Sequence, residues 1–557
     1  MQGLTDEAVA WATAHGLQMM DAEHSTLCKA APVTLLPTPL SRKAFEHAVH
    51  LAQPFNVLVD KVARDLDWVY KTLDGVLEHD EFTAQLVKIC RAVEEKGDVQ
   101  RIYLGINRSD YMLDQGKDLL QVELNTIASS FGCLSARVAR MHRFLMDRYP
   151  EHETVQERCP DAQDATRTPP NRADTEIPRA LAEAARIHLQ SRGKEETTKG
   201  PPTVLFVVQE GERNSFDQRW LEYELWDAHK VACMRRSLSQ IKEQASVNDA
   251  NGRDLIVDGQ LISVVYFRAG YTPNDYPSDV QWDARLLMET SNAIKCPSIA
   301  YQLVGTKKVQ QELARPGQVE RFMGEGPGAA LRTGFAGLWS LDAKEQDESA
   351  KDAIKDAIAN PGNYVVKPQR EGGGNNIYGE DVKKALESMS STELASYILM
   401  QRIFPEEVDA ILVKAGEPHS AKALQELGVY GVYLSDGSKE HFNAYAGRLQ
   451  PYETALTHNL EQQLKKFIVE CSKTGMPLSA KDIKGMAYDL ARLKDSNTKF
   501  KATSGWWKSF KARHPDLRIR RLEELDTVRH RALNYDIASE WFDLVQHKYA
   551  GGSRQVP

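Results

Sequence analysis

Cysteine is scarce in this 557-residue sequence, and it does not cluster. Cys28, Cys90, Cys133, Cys159, Cys233, Cys296 and Cys471 are scattered, with no CxxC pair and no Cys/His group at zinc-ligand spacing. That excludes a disulfide-stapled scaffold and a structural zinc core. An odd, dispersed set of thiols fits a reducing compartment. No run of 18 apolar residues occurs, so no transmembrane helix is expected. Residues 1–20 lack a basic stretch followed by an apolar one, so no secretory leader is expected and the chain reads as cytoplasmic. A GxxxxGK[ST] phosphate loop and internal repeats are also absent.

What is present is ordinary globular material: 42% hydrophobic and 27% charged residues. At about 150 residues per domain the length suggests three to four domains. The net charge of −8 argues against a nucleic-acid binder as a whole. The charge is unevenly spread, however. Residues 451–557 carry 19 Lys and Arg against 13 Asp and Glu, a net of +6, whereas residues 1–450 carry 51 against 65, a net of −14. That contrast marks a domain boundary.

Residues 1–150 read as mainly helical, with Phe55, Leu58 and Val62 at helical spacing. RIYLGI (101–106) and LLQVEL (119–124) read as strands flanking a polar link. Residues 151–202 are polar and proline-bearing, with one helix expected near 177–190 and then a boundary. From Thr203 strands alternate with helices: VLFVV (204–208), a helix near 218–229, and LISVVYF (261–267). This predicts an α/β subdomain ending near Leu303. Residues 306–450 are mixed, with strands at 364–368, 396–400 and 428–434.

The sharpest local signal is KPQREGGGNNIY (367–378), a lysine closing a strand before three glycines. Glycines let backbone N–H groups approach an anion, and the lysine adds a point charge, which suits a nucleoside triphosphate. A bare glycine triplet is also an ordinary flexible turn. Glu371 inside a phosphate loop makes sense only with a cation between it and the phosphate. Glu123 and Asn125, two apart on a strand, face one side and offer a carboxylate and an amide oxygen to Mg²⁺. RSDYM (108–112) and ERNSFDQ (212–218) are polar clusters at expected strand ends, where an arginine fork suits a carboxylate. Lys307 and Lys308 can neutralise phosphate, or simply form a charged loop.

Taken in order, RSDYM (108–112), QVELNTIASSFG (121–132), ERNSFDQR (212–219), YFRAGY (266–271), GTKKVQQ (305–311), KPQREGGGNN (367–376) and ELGVYGVY (426–433) resemble the eukaryotic glutathione synthetase family. The resemblance runs from about residue 30 to Leu449. It implies an α/β fold: an α+β ATP-grasp body with an inserted α/β substrate-binding subdomain. The parts expected are 1–202, helical and ATP-grasp; 203–305, the substrate-binding subdomain; and 306–450, the ATP-grasp part with the glycine-rich loop. It implies a homodimer that joins γ-glutamylcysteine to glycine with ATP and Mg²⁺.

By the same resemblance, Arg108 and Lys367 are the catalytic residues. Glu123, Asn125 and Glu371 hold Mg²⁺. ATP is held by Glu123, Lys307, Lys367, Gly372, Gly373, Gly374, Asn375, Asn376, Tyr378, Met400, Gln401, Arg402, Ile403 and Glu426. The dipeptide and glycine are held by Arg108, Ile127, Ala128, Ser129, Ser130, Glu212, Arg213, Asn214, Gln218, Arg268, Ala269, Gly270 and Tyr271. The family continues past its last strand into a Leu-Leu-Arg-Thr-Lys segment and a Gly/Ala-rich lid. Here the match stops at Leu449 and QPYE follows. Losing that clamp and lid is expected to weaken ligase activity or abolish it.

The tail, 451–557, reads as all-α. An amphipathic helix spans 460–471, a second is capped by Ser479 over 480–493, and a third begins after Thr503 and Ser504. Twelve Lys and Arg against five Asp and Glu lie between Arg492 and Arg531. On charge alone this is a helical bundle with a solvated basic face. The pattern across 455–522 resembles the centromere-protein-B type helix-turn-helix of pogo-like transposases. That implies DNA as a partner, through Lys501, Ser504, Lys508, Lys511, Arg513 and Arg518, and a nuclear location if the tail binds. Trp506, Trp507 and Phe510 read as core of the bundle.

Overall fold

The computed structural model describes residues 1–21, 26–161, 164, 168–191, 201–249, 252–369, 375–449, 452–453, 484 and 487. Met1–Pro418 with Leu424–Tyr452 form one compact unit, and His419–Ala423 with Glu453–Pro557 form a second. The six tail residues expected to contact DNA, and the three expected helices apart from Lys484 and Ala487, lie outside the described residues. So do Glu371, Gly372, Gly373 and Gly374.

The centre of the first unit is a four-stranded antiparallel sheet in the order Glu440–Leu449, Leu427–Ser435, Tyr103–Asp114, Asp118–Asn125. Apolar residues alternate along its strands, so each face finds its own cover. Leu427 and Val429 face the helix Arg42–Arg64, whose Leu51, Phe55, Leu58 and Val62 fall on one side at helical spacing. Ser41 caps that helix by accepting from Ala44 N–H at 3.4 Å. Asn56 comes so close to the sheet that a Cβ on Gly431 would stand 2.3 Å from its Oδ1, so only glycine fits there. On the other face Leu104, Ile106, Tyr430, Val432 and Leu434 meet Ile177, Ala180, Leu181 and Ala184 of the helix Ala173–Ser191.

The strand Tyr103–Asp114 runs twelve residues, straight through Arg108-Ser-Asp-Tyr-Met. This corrects the expectation that the cluster sits at a strand end. Antiparallel pairing on both sides satisfies the backbone, and Arg108 and Asp110 answer one another's charge, so polarity does not end the strand. The partner strand carries a bulge. Asp110 pairs with Glu123 but Tyr111 pairs with Gln121, leaving Val122 as the extra residue.

The second sheet is parallel, in the order Ile294–Cys296, Val264–Phe267, Thr203–Val207, Ala232–Arg236. Its central strands are buried throughout, as a sheet covered on both faces requires. The strand expected at 261–267 is two elements, Gln260–Leu261 in a small antiparallel sheet and Val264–Phe267 in the parallel one. A third sheet, antiparallel, has the order Leu338–Ser340, Tyr397–Gln401, Tyr364–Pro368, Ile377–Tyr378, with the helices Glu348–Ala359 and Glu380–Ser388 beside it. The glycine-rich segment joins its last two strands in order. No helix among the described residues is long and apolar enough to cross a membrane.

Candidate active site

The site grows from the strand Asp118–Asn125. Gln310, on the helix Lys307–Ala314, reads that strand as another strand would. Its Oε1 accepts from Leu124 N–H at 2.9 Å, and its Nε2 donates to Leu124 O at 3.2 Å and Gly305 O at 2.8 Å. This fixes the helix start against the strand and brings Lys307 Nζ to 2.8 Å from Glu123 Oε2. Lys367, closing the strand Tyr364–Pro368, donates to Val122 O at 3.0 Å. That carbonyl belongs to the bulged residue. Burial works against the Glu123 carboxylate, but Lys307 and Lys367 overcome it and hold the group down at about 2. Burial, and after it the Lys307 charge, bring the Lys367 ammonium down to about 8, against the pull of Glu123, Glu426 and Asp110.

Lys308 is different. Its Nζ donates to Gln311 at 3.0 Å and Ser340 at 2.9 Å and pairs with Glu345, so it anchors its helix to the third sheet. Of the two lysines in the motif, Lys307 alone joins the Glu123 cluster.

Arg108 lies across the strand pair from Asn125. It grips Asp110 with a fork, Nε and Nη2 each 2.7 Å from a carboxylate oxygen, and its Nη1 donates to Ser130 O at 3.3 Å. Burial opposes the Arg108 charge, and Asp110 more than restores it. Tyr430, opposite Arg108 on the next strand, donates its hydroxyl to the same Ser130 carbonyl.

The loop 127–131 is held from the parallel sheet. Arg268, just past the strand Val264–Phe267, donates to Ser129 O at 2.8 Å and to Ser130 Oγ at 2.7 Å. Asp217 accepts from the N–H groups of Phe131, Cys133 and Leu134 at 2.8–3.0 Å, capping the helix Gly132–Arg148 where Phe131 itself cannot. Glu212 accepts from Asn214 N–H at 2.7 Å and Gln218 Nε2 at 2.9 Å. Gly270 and Tyr271 give their N–H groups to Asp275, and Gln302 donates to Gly270 O at 2.9 Å. Gly270 has φ +91° with the Tyr276 hydroxyl at the place of a Cβ, so a side chain is excluded twice. Ala128 takes the left-handed conformation at φ +51°, and Ile127 and Ala269 are buried.

Several expected residues sit elsewhere in character. Arg213 is exposed, and its carbonyl accepts from Met20 N–H at 3.0 Å. Met400 and Ile403 are buried with Ala336 against Leu120 and Val122. Gln401 accepts from Gly337 N–H at 3.1 Å and Arg402 donates to Gly362 O at 3.1 Å. Tyr378 is exposed and accepts from Asn376 Nδ2 at 3.1 Å, beside Asn375.

Asn214 is buried, yet neither its Nδ2 nor its Oδ1 has a partner. A buried amide without hydrogen bonds is costly unless a ligand completes it. For a cation, the donor chemistry fits Mg²⁺. Glu123 is anionic, and Asn125 turns its Nδ2 to Asp110 at 2.9 Å, leaving Oδ1 as an acceptor. Among the described residues no group of three or more His, Cys, Asp and Glu could hold a metal ion, so Glu123 and Asn125 are a partial set.

Asp110, Asp217 and Gln310 were not anticipated from sequence. Asp110 had a signal, since it stands two residues from Arg108 on a strand. Asp217 and Gln310 lie inside two of the quoted motifs, but nothing local points to their partners across the fold, Leu134 being 83 residues from Asp217 and Leu124 186 residues from Gln310.

Residues 1–451 match the family described as eukaryotic glutathione synthase, ATP binding domain, and residues 457–521 match the Tc5 transposase DNA-binding domain. The chain is 42% identical over 461 residues to the chloroplastic glutathione synthetase of Solanum lycopersicum, covering 81% of this chain and 80% of that protein. It is 41% identical over 472 residues to the glutathione synthetase of Dictyostelium discoideum, covering 82% and 95%. The Homo sapiens glutathione synthetase is 39% identical over 462 residues, covering 81% and 92%. A solved structure, the apo form of a glutathione synthetase-like effector from Globodera pallida, is alike in fold, with a TM-score of 0.65 over 81% of this chain and 94% of that one at 20% identity.

Proposed function

The chain belongs to the eukaryotic glutathione synthase family, and from that premise we propose that residues 1–449 join γ-glutamylcysteine to glycine with cleavage of ATP. The γ-phosphoryl group passes to the cysteinyl carboxylate, giving an acyl phosphate and ADP. The glycine amine then attacks the carbonyl carbon, phosphate leaves, and the amine loses a proton. The protein's part is to hold the reactants in register and balance their charge.

Lys307 and Lys367 take the phosphates, with the loop through Asn375 and Asn376, the strand 400–403 and Glu426 around the nucleotide. Glu123, Asn125 and Glu371 would hold Mg²⁺, which when bound would screen the phosphate charge from the two carboxylates. Arg108 takes the carboxylate of the dipeptide, Asn214 and Gln218 its polar atoms, and Arg268 holds the Ser129–Ser130 turn beneath it. The convergence of Lys307 and Lys367 on the ionised Glu123 carries the reading. That cluster is poised for a polyanion with a cation and has little other use.

The expected result for the purified full chain with ATP, γ-glutamylcysteine and glycine is glutathione and ADP in equal amounts, well below the rate of the Dictyostelium relative. The slowness follows from the sequence after Leu449, which lacks the arginine, lysine and alanine-rich lid of the family. Turnover equal to the relative sinks the impairment, and failure to bind an ATP analogue sinks the ligase reading. The inferred homodimer is checked by light scattering of the same sample.

The match over 457–521 favours a second reading for the tail. It binds duplex DNA through Lys501, Ser504, Lys508, Lys511, Arg513 and Arg518. Five phosphate contacts predict a slope of about −4 to −5 in log affinity against log salt. Binding of the full chain that is flat with salt, or absent at low salt, rejects it. A cytoplasmic location with a nuclear fraction follows from both readings together, and imaging of the tagged chain tests it.

A further inference from the structure

Asp110 is 1% exposed, and a carboxylate there must be fully partnered to be tolerated. Its partners are Arg108, through Nε and Nη2, and Asn125, through Nδ2 at 2.9 Å. The two bonds to Arg108 fix the plane of the guanidinium, because both oxygens are spanned by one rigid fork. The bond to Asn125 fixes an amide flip. A carboxylate only accepts, so Asn125 must present its NH₂ to Asp110 and its Oδ1 elsewhere. Arg108 O lies 3.5 Å from the same Nδ2, which reinforces that choice. One carboxylate therefore orients two side chains, to which the proposed function gives different ligands, and both its oxygens are taken up in doing so.

We propose that Asp110 is a positioning residue shared by the two halves of the site, aiming the remaining outer N–H groups of Arg108 at the dipeptide carboxylate and the Asn125 oxygen at Mg²⁺. This rests on the assignment of Arg108 and Asn125 made under the proposed function. Its consequence is that a change at Asp110 weakens two ligands at once, and that Arg108 and Asn125 influence each other's ligand through it.

The test uses the full chain and two probes measured by calorimetry, γ-glutamylcysteine and the β,γ-imido analogue of ATP at varied Mg²⁺. In Asp110→Asn the replacement amide can no longer accept from both partners on both sides. The dipeptide is expected to bind about tenfold or more weakly, and the Mg²⁺ needed for half-maximal binding of the analogue to rise about fivefold, with the melting temperature lowered because the buried Arg108 loses its counter-charge. The losses are expected to be non-additive: Asp110→Asn adds little to the dipeptide loss of Arg108→Gln, and little to the Mg²⁺ shift of Asn125→Ala. A folded Asp110→Asn that binds both probes within twofold of wild type overturns the proposal, as do fully additive losses in both double variants.

If Asp110→Asn does not fold, the single variants carry the test. Arg108→Gln is then expected to raise the Mg²⁺ requirement, and Asn125→Ala to weaken the dipeptide, since each removes a partner from Asp110. Absence of both cross-effects overturns the proposal. Wild-type chain that binds neither probe overturns the site assignment and the proposal with it. Wild-type binding of both probes without cross-effects overturns the proposal alone.

Discussion

On one side of the site Lys307 and Lys367 press toward a single carboxylate, Glu123, and repel each other. On the other, Arg268 and Arg108 end on the backbone carbonyls of Ser129 and Ser130, and each has a carboxylate of its own, Asp217 at 4.0 Å and Asp110 at 2.7 Å. The lysine side holds its charge in tension, with flexible stems and compact heads that can exchange Glu123 for an incoming polyanion. The arginine side is finished before any ligand arrives, because planar forks lose little freedom when they dock. The difference teaches where the ligand does its work. On the proposed reading it would complete the charge balance on the lysine side, and on the arginine side it would meet a surface already built, save for Asn214 and the Arg268 Nε, which are buried without partners.

Removing a charge from each side tests this contrast most strongly. Arg268→Met leaves Asp217 buried without its guanidinium and frees the 127–131 loop, so stability to urea is expected to fall by about 3–5 kcal/mol. Lys367→Met relieves a buried ammonium and is expected to leave the urea midpoint unchanged or raised. Its cost appears instead as roughly 30-fold weaker binding of the ATP analogue, the worth of about one charged hydrogen bond. Equal losses of stability in the two variants break the comparison.

A pH effect of intermediate size belongs to the finished side. The helix Gly132–Arg148, capped by Asp217, is tied in its middle by His142 Nε2 to Thr34 O at 2.8 Å. Burial takes the His142 imidazole from its ordinary 6.5 down to about 4. The unfolded chain therefore takes up this proton first. The neutral histidine's stability is whole above about pH 6.5 and is lost as pH falls toward 4, by on the order of 3 kcal/mol. His142→Gln is expected to flatten the urea midpoint over that window relative to wild type. An unchanged slope removes His142 as the cause.

The smallest effect falls on Asn214. Because its amide has no internal partner, Asn214→Ala is expected not to reduce stability, while γ-glutamylcysteine binds about tenfold more weakly, near 1.4 kcal/mol. Lost stability with unchanged affinity would make Asn214 part of the frame and not of the binding surface.

Much of this site was legible in the residues themselves. Glu123, Lys307 and Lys367 carry chemistry that suits a metal-bound polyanion, and the structure brings them together: Lys307 pairs with Glu123, and Lys367 donates to the carbonyl of the neighbouring Val122. Arg108 was legible as an anion fork but its place was not. Its polar neighbours read as the end of a strand, whereas pairing on both sides carries the strand through them. Lys308 read like Lys307, one residue away, yet a helix turns neighbours about 100° apart, and it serves Glu345 and Ser340.

By itself the sequence determined the kinds of parts: which stretches are helix or strand, which residues carry charge worth burying, and that a different family begins after Leu449. These follow from local periodicity and composition, which act over a few residues. The tertiary structure alone decided which parts meet. The sheet under the site joins 103–125 to 427–449, and strand pairing over such separations leaves no local trace. It also decided which way Glu123 points. Simple alternation would put Gln121, Glu123 and Asn125 on one face. The extra residue at Val122 sends Gln121 with Tyr111 toward the helix Arg42–Arg64, and Glu123 with Asp110 into the site.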